Sequence, residues 1–369
     1  MKIAFFTLAL STFYLCSCKQ NDTFAGNIIS LDIENVIEGN LLESMQCDYI
    51  KLETTSECYI CGFQRIIRDN NLLFILDNKK NIFEFDIQGH FIRKIGSKGG
   101  AKNEYIRLMD IFLDKKEKSV NVIDFSKKCI VKYDYDGKYI GRKQISANIF
   151  SGPVSFEYRD QTIYGYNSNW AKEAPYNFTI SKIGNEQVVH SVPYPILGKV
   201  SSSKSDSRIC ARNNDILAVA SFSDTIYHLA PNGATPYMCF NGPLKKCKPS
   251  DFDNLHPEFE ADLYRKFLKE KKTIGLSSIY ATDSIITFQY GAPIINLMLA
   301  YNLNTLKGTM QIADNSFPCS IVYSDNECFI AMKSIEDCRL LNNSVVNELI
   351  SDDLDGNNPI LAIYHSVKK

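Results

Sequence analysis

The stretch FEFDIQGHFIRKIG, from Phe83 to Gly96, is written again as VKYDYDGKYIGRKQ, from Val131 to Gln144. Each copy carries an aromatic residue, Asp, two residues, Gly, one residue and a second aromatic. Asp86 and Asp134 stand 48 positions apart (134 − 86). The match extends upstream, where LFILDNKKNIFEFD aligns with VNVIDFSKKCIVKYD after one extra residue. Both copies therefore read as a short apolar strand ending in Asp (Asp77, Asp124), a basic turn, an alternating strand, the D-x-x-G turn and another strand. Alternation with period two half-buries a sheet. The Gly supplies the positive φ of a tight hairpin, and the Asp bonds turn amides.

Fainter copies follow in SDTIYHLAPNGATPYMCF (Ser223 to Phe240), SIITFQY and FIAMKS. Several strands per unit at a period of about 40–50 residues mark a β-propeller, in which each four-stranded blade hides its faces against its neighbours. A pair of β-sandwiches would not repeat its turn chemistry at this period. About six or seven units fit the chain.

The first residues read as an address. In MKIAFFTLALSTFYLCSCKQ, Lys2 precedes a mainly apolar run from Ile3 to Leu15. A run of about 13 residues is too short to span a bilayer, which needs roughly 20, and suits an export signal. It ends in LCSC, Leu15 to Cys18, which resembles a bacterial lipobox, with Cys16 an unusual occupant of its position. The expected layout is a signal peptide over 1–17, lipidation at Cys18, a tether over 18–27, and a propeller over 28–369.

The whole order of motifs resembles a six-bladed β-propeller lipoprotein family of gut-type Gram-negative bacteria, NHL-like in architecture. The carrying features are LDIENV and YIKLET near the start, GHFIRKIGSKGGAKNEYIRLMDIFLD, SDTIYHL, and the closing DLDGNNPILAIYHSVKK. The resemblance implies an all-β fold, a single six-bladed β-propeller of four-stranded antiparallel blades. It departs where relatives often carry G-P-G-E-Y and this chain has GAKNEY, so Glu104 and Tyr105 are candidate ligand-binding residues in an altered turn.

One segment is not β-like. KPSDFDNLHPEFEADLYRKFLKEKK, residues 248–272, places Pro257 at a first helical turn and Phe259, Leu263 and Phe267 on one face, a short helical insert. The insert is expected to bury that stripe on the propeller. The two ends of the folded chain are expected to close the ring, with the strand around Tyr49 to Glu53 pairing the strand from Pro359 to Ser366.

Net charge is −1 with 22% charged residues, which argues against nucleic acid as a partner. Of 12 cysteines, Cys16 lies in the leader and Cys18 would carry lipid. The pair in CYIC, Cys58 to Cys61, lacks the second pair of a zinc knuckle and is expected to sit on a strand. His90, His190, His228, His256 and His365 show no metalloenzyme spacing, and no nucleophile elbow or Walker loop is present. GSKGGAK, Gly96 to Lys102, lacks G-K-[ST]; DYDG and DDLDG lack a full calcium loop. No catalytic residue, metal ligand or cofactor is therefore assigned. The lone Trp170 lies in YGYNSNWAKEAPYNF, and Trp170 with Tyr166 is the aromatic candidate for a binding rim, although between-blade packing is the commoner fate of such rings. The expected role is non-enzymatic binding of a glycan, peptide or protein at the cell envelope by a monomer that meets the outer membrane through its lipid anchor only. The alternative is an envelope lyase or hydrolase with its site in the central channel, since residues from different blades leave no linear motif.

Overall fold

The computed structural model describes residues 28–145, 153–167, 175–185, 187–194, 207–252, 260–291, 296–351 and 357–366. Six antiparallel sheets stand in a ring. Blade one comprises Arg65–Asp69, Leu72–Leu76, Ile82–Asp86 and Phe91–Lys94. Blade two comprises Leu108–Asp114, Ser119–Asp124, Cys129–Asp134 and Tyr139–Gln144. Blade three runs from the inner strand Pro153–Arg159 to the outer strand Val188–Pro193, blade four from Ile209–Arg212 to Gly233–Asn241, and blade five from Gly275–Ala281 to Lys307–Ile312. Blade six takes Ile321–Ser324, Cys328–Lys333 and Ile360–Ser366 from the C-terminal part and its outermost strand, Met45–Lys51, from the N-terminal part. The six inner strands neighbour one another in cyclic order, which closes the ring around a central channel.

The repeated phrase is a hairpin turn. Asp86 Oδ1 accepts from His90 N at 2.9 Å, and Asp134 Oδ1 accepts from Lys138 N at 2.8 Å. Gly89 and Gly137 sit at φ +92° and +79°, where a Cβ would be strained. The same register shift follows in both copies, between Glu84/Phe85 and Lys132/Tyr133.

Alternation also explains the core. In Leu72–Leu76, Phe74 and Leu76 face the blade-two side while Leu73 and Ile75 face the blade-six side. Each of the six blade interfaces owns one apolar cluster. The expected pairing of the chain ends is present: Ile360–Ser366 runs antiparallel to Met45–Lys51, with Ala362 opposite Tyr49.

Ahead of that strand, an N-terminal arm does something the sequence did not suggest. Ile29–Asp32 adds in parallel to the outer strand of blade four, and Val36–Glu38 adds in parallel to that of blade five. The arm therefore crosses three successive blades and covers two exposed sheet edges, which would otherwise offer unpaired backbone groups.

Three short α-helices occur among the described residues: α1 (Glu260–Glu270), α2 (Ile335–Arg339) and α3 (Ser344–Leu349). Helix α1 falls within the segment read as a helical insert. Its Leu263 and Phe267 are buried with Phe252, in contact with Phe222 and Ile274 of the propeller. The Phe252 and Phe267 rings stand edge-on, 5.7 Å apart. Phe259 and Pro257 lie outside the described residues. Phe267→Ala should cost roughly 3–5 kcal/mol, as large core truncations do, read as a lowered urea midpoint.

The CYIC segment corrects its sequence reading. Cys58 to Cys61 form a loop, not a strand. Their backbone is satisfied by side chains instead of a ladder: Asn358 accepts from Ile60 N at 2.8 Å and donates to Cys58 O at 2.9 Å, and Asp77 accepts from Cys61 N at 3.3 Å. The ten described cysteines are all free thiols.

Candidate functional site

The inner strands enclose a channel of about 1510 Å³ that all six blades line. Because these strands run in the same direction, the channel has a leading mouth, where they begin, and a trailing mouth, where they end. The two mouths differ in how their charges are used.

At the trailing mouth polar groups tie blade to blade around the ring. Tyr135 of blade two donates to Asp69 of blade one at 2.8 Å, and Tyr158 of blade three donates to Asp114 of blade two at 3.1 Å. Arg159 donates to Asp215 O of blade four, and Arg212 to Thr282 O of blade five. Ser324 of blade six accepts from Ala281 N, and Arg68 closes the circle on Asp325 of blade six at 3.2 Å. Every seam carries a tie, so these charges serve the ring.

In the channel wall, Arg65 of blade one reaches Asp110 of blade two at 3.2 Å and Glu157 of blade three at 2.6 Å, and donates to Phe156 O at 2.7 Å. Burial opposes the Arg65 charge, but the two carboxylates outweigh it and hold the guanidinium above its ordinary value. Burial pushes both the Asp110 and the Glu157 carboxyls up, against the pull of Arg65. At Glu157 the charge of Asp110 adds to the effect of burial, while Lys80 at Asp110 and Arg159 at Glu157 act in the same direction as Arg65. Arg65 Nε and Ser155 Oγ are buried in this wall without a partner.

The leading mouth is framed by the connection from blade one to blade two. Here Asp124, fully buried, accepts four backbone N–H groups: Ile106 at 2.8 Å, Arg107 at 3.2 Å, Ser126 at 2.9 Å and Lys127 at 3.2 Å. This clamp holds Ile106 and Arg107 at the rim. The Arg107 guanidinium lies 4.5 Å over the Phe125 ring, and Ile106 is 44% exposed. Lys80 and Lys98 also line this end. Lys80 bonds the Gln64 side chain. Among the described lining residues that stand ahead of the inner strands, none is acidic.

Of the residues singled out from sequence, Glu104 and Tyr105 fall around this frame and Tyr166 between two blades, none of the three on the channel surface. Glu104 folds back onto its own turn, accepting from Ala101 N at 2.8 Å. Tyr105 is 2% exposed and donates to Lys80 O at 2.9 Å, and burial pushes its hydroxyl up to about 12. Both shape the turn that carries Lys98 and Arg107. Tyr166 is 1% exposed, packed between blades three and four with its hydroxyl 2.6 Å from Ser221 Oγ, out of reach of a surface ligand. Trp170 and Cys18 lie outside the described residues. Among the described residues no group of three His, Cys, Asp or Glu could hold a metal ion, and no helix is long and apolar enough to cross a membrane.

Sequence reasoning passed over Arg65, Asp110 and Glu157. A signal existed: each is a charge on an inner strand, at spacings of 45 and 92 residues that follow the blade period.

The chain belongs to the family of the domain of unknown function DUF4934, which matches residues 43–365. Among solved structures it is similar to the "Putative exported protein" of Bacteroides fragilis NCTC 9343, with a TM-score of 0.74 at 16% identity, over 93% of this chain and 100% of that one. It is also similar to a member of the duf4221 family from Bacteroides vulgatus ATCC 8482, with a TM-score of 0.54 at 10% identity, over 88% and 98% of the two chains. At these identities the likeness is one of fold. No curated protein matches the sequence.

Proposed function

We propose that this chain is an exported lipoprotein, anchored through Cys18 to the outer membrane, whose propeller binds a ligand at the leading mouth of its channel without transforming it. The observation that carries the binding role is the contrast between the mouths. The trailing-mouth acids Asp69, Asp114 and Asp325 are engaged in inter-blade ties, and Asp160 lines that mouth beside Lys115 and Lys116, whereas Lys98 and Arg107 line the leading mouth with no acid among the described lining residues ahead of the inner strands. The two carboxylates farther in are both engaged by Arg65. The partner is a glycan, peptide or protein of the envelope, met by a monomer.

The address rests on the apolar run that abuts LCSC. Several acyl chains on one Cys give stable anchoring. Cys18→Ala should move the protein from the membrane pellet to the soluble fraction; retention in the pellet would contradict the anchor. For the binding role, Ile106→Trp fills the mouth from an exposed position. It should leave the melting temperature of the free protein unchanged and remove the stabilisation that a bound ligand gives the native state.

A second reading has one observation in its favour. Asp110 and Glu157 are channel carboxyls raised by burial, as general acids often are. Turnover of an envelope substrate that Glu157→Gln abolishes would favour an enzyme.

A further inference from the structure

The geometry points to a carboxylate as the group that the leading mouth receives. This inference rests on the binding reading above and deepens it by naming the ligand's chemistry. Arg107 is held at both ends. Its backbone N–H is fixed by buried Asp124, and its guanidinium lies on the Phe125 ring with an exposed outer face. A planar fork fixed in this way presents parallel N–H donors, which suit the two oxygens of a carboxylate better than a point charge does. Lys98, on the preceding turn, adds a second cation to the same mouth. Glu104, the acid nearest in sequence, is turned away onto Ala101 N and Ser97 Oγ, so it does not neutralise them.

Farther in, the wall changes character. Arg65 Nε and Ser155 Oγ are buried donors without partners, and Asp110 and Glu157 are acceptors beside them. A second anion would meet two carboxylates there, whereas neutral hydroxyls or amides could both give and receive hydrogen bonds. The channel thus selects a ligand with its acid at the mouth and a neutral polar body within. At about 1510 Å³ it exceeds the roughly 300–1,000 Å³ of a common small-molecule site, so an oligomer fits.

The test measures binding of four probes to the Cys18→Ala protein: maltotrionate and N-acetyltriglycine, each with one terminal carboxylate on a neutral body, neutral maltotriose and inorganic sulfate. The comparison variants are Lys98→Gln/Arg107→Gln, Lys115→Gln/Lys116→Gln at the trailing mouth, and Ile106→Trp. One of the two carboxylated probes should bind, with affinity that falls as salt rises. Its affinity should drop tenfold or more in the Lys98/Arg107 variant and stay unchanged in the Lys115/Lys116 variant. Which probe binds identifies a saccharide or a peptide as the body. Equal binding of sulfate, or no binding by either carboxylated probe, overturns the carboxylate assignment. Maltotriose bound equally well and lost with Ile106→Trp also overturns it, while the channel reading stands. A carboxylated probe whose binding is indifferent to both Ile106→Trp and the Lys98/Arg107 variant overturns both.

Discussion

Removal of residues 359–369 should abolish cooperative folding of the whole ring. The strand Ile360–Ser366 lies between Cys328–Lys333 and Met45–Lys51, so its loss separates the two ends of the chain. Ile360, Leu361 and Ala362 are fully buried, and they feed the clusters on both faces of blade six. A propeller has no spare interface to absorb such a loss, because each blade hides its faces only against its neighbours. The expected result is a protein without a thermal transition or one recovered only in aggregates. A truncated protein with an unchanged melting temperature would show that the ring is not closed by this pairing. Deletion through Asn40 is the informative contrast. It strips the arm from blades four and five, including buried Leu31 and Val36, but spares Met45–Lys51. That variant should melt lower and still cooperatively.

Asp124→Ala should cost roughly 3–5 kcal/mol, the size of effect seen when several buried donors lose a charged acceptor together. The side chain is fully buried and serves four backbone N–H groups, two from the turn after its own strand and two from the connection leading into blade two. No water can replace it without opening the site. Asp124→Asn keeps one oxygen acceptor and should recover part of the loss. Urea denaturation checks both, with the midpoint falling at constant slope. A change within about 0.5 kcal/mol would mean that the four amides find other partners. Because the clamp also holds Ile106 and Arg107, ligand binding should weaken in the Asn variant even where folding is largely restored.

The fold was legible because its determinants are local. The D-x-x-G turn needs only Asp86 and Gly89, or Asp134 and Gly137, within five residues, and strand alternation needs only neighbours. Asp77 and Asp124 were visible as strand-ending residues, but their use as clamps was not, since the amides of Cys61 and of Ile106 and Arg107 come from other parts of the chain. CYIC misled for the same reason. Its apolar pattern resembles a strand, but Asn358, some 300 positions away, takes over its backbone bonds. The channel was hidden still more completely. Arg65, Asp110 and Glu157 are charges on three separate inner strands, and only the circular arrangement makes them one group. The aromatic residues were the opposite case, conspicuous in sequence and spent on packing, as Tyr105 and Tyr166 show.

The binding proposal places the ligand at the leading mouth of the channel. A crystal structure of the Cys18→Ala protein grown with maltotrionate is the decisive test. The expected result is a carboxylate against Arg107 and Lys98, with the next ring directed toward Arg65 and Ser155. Density for the probe elsewhere on the propeller, with the mouth left unoccupied, would contradict it.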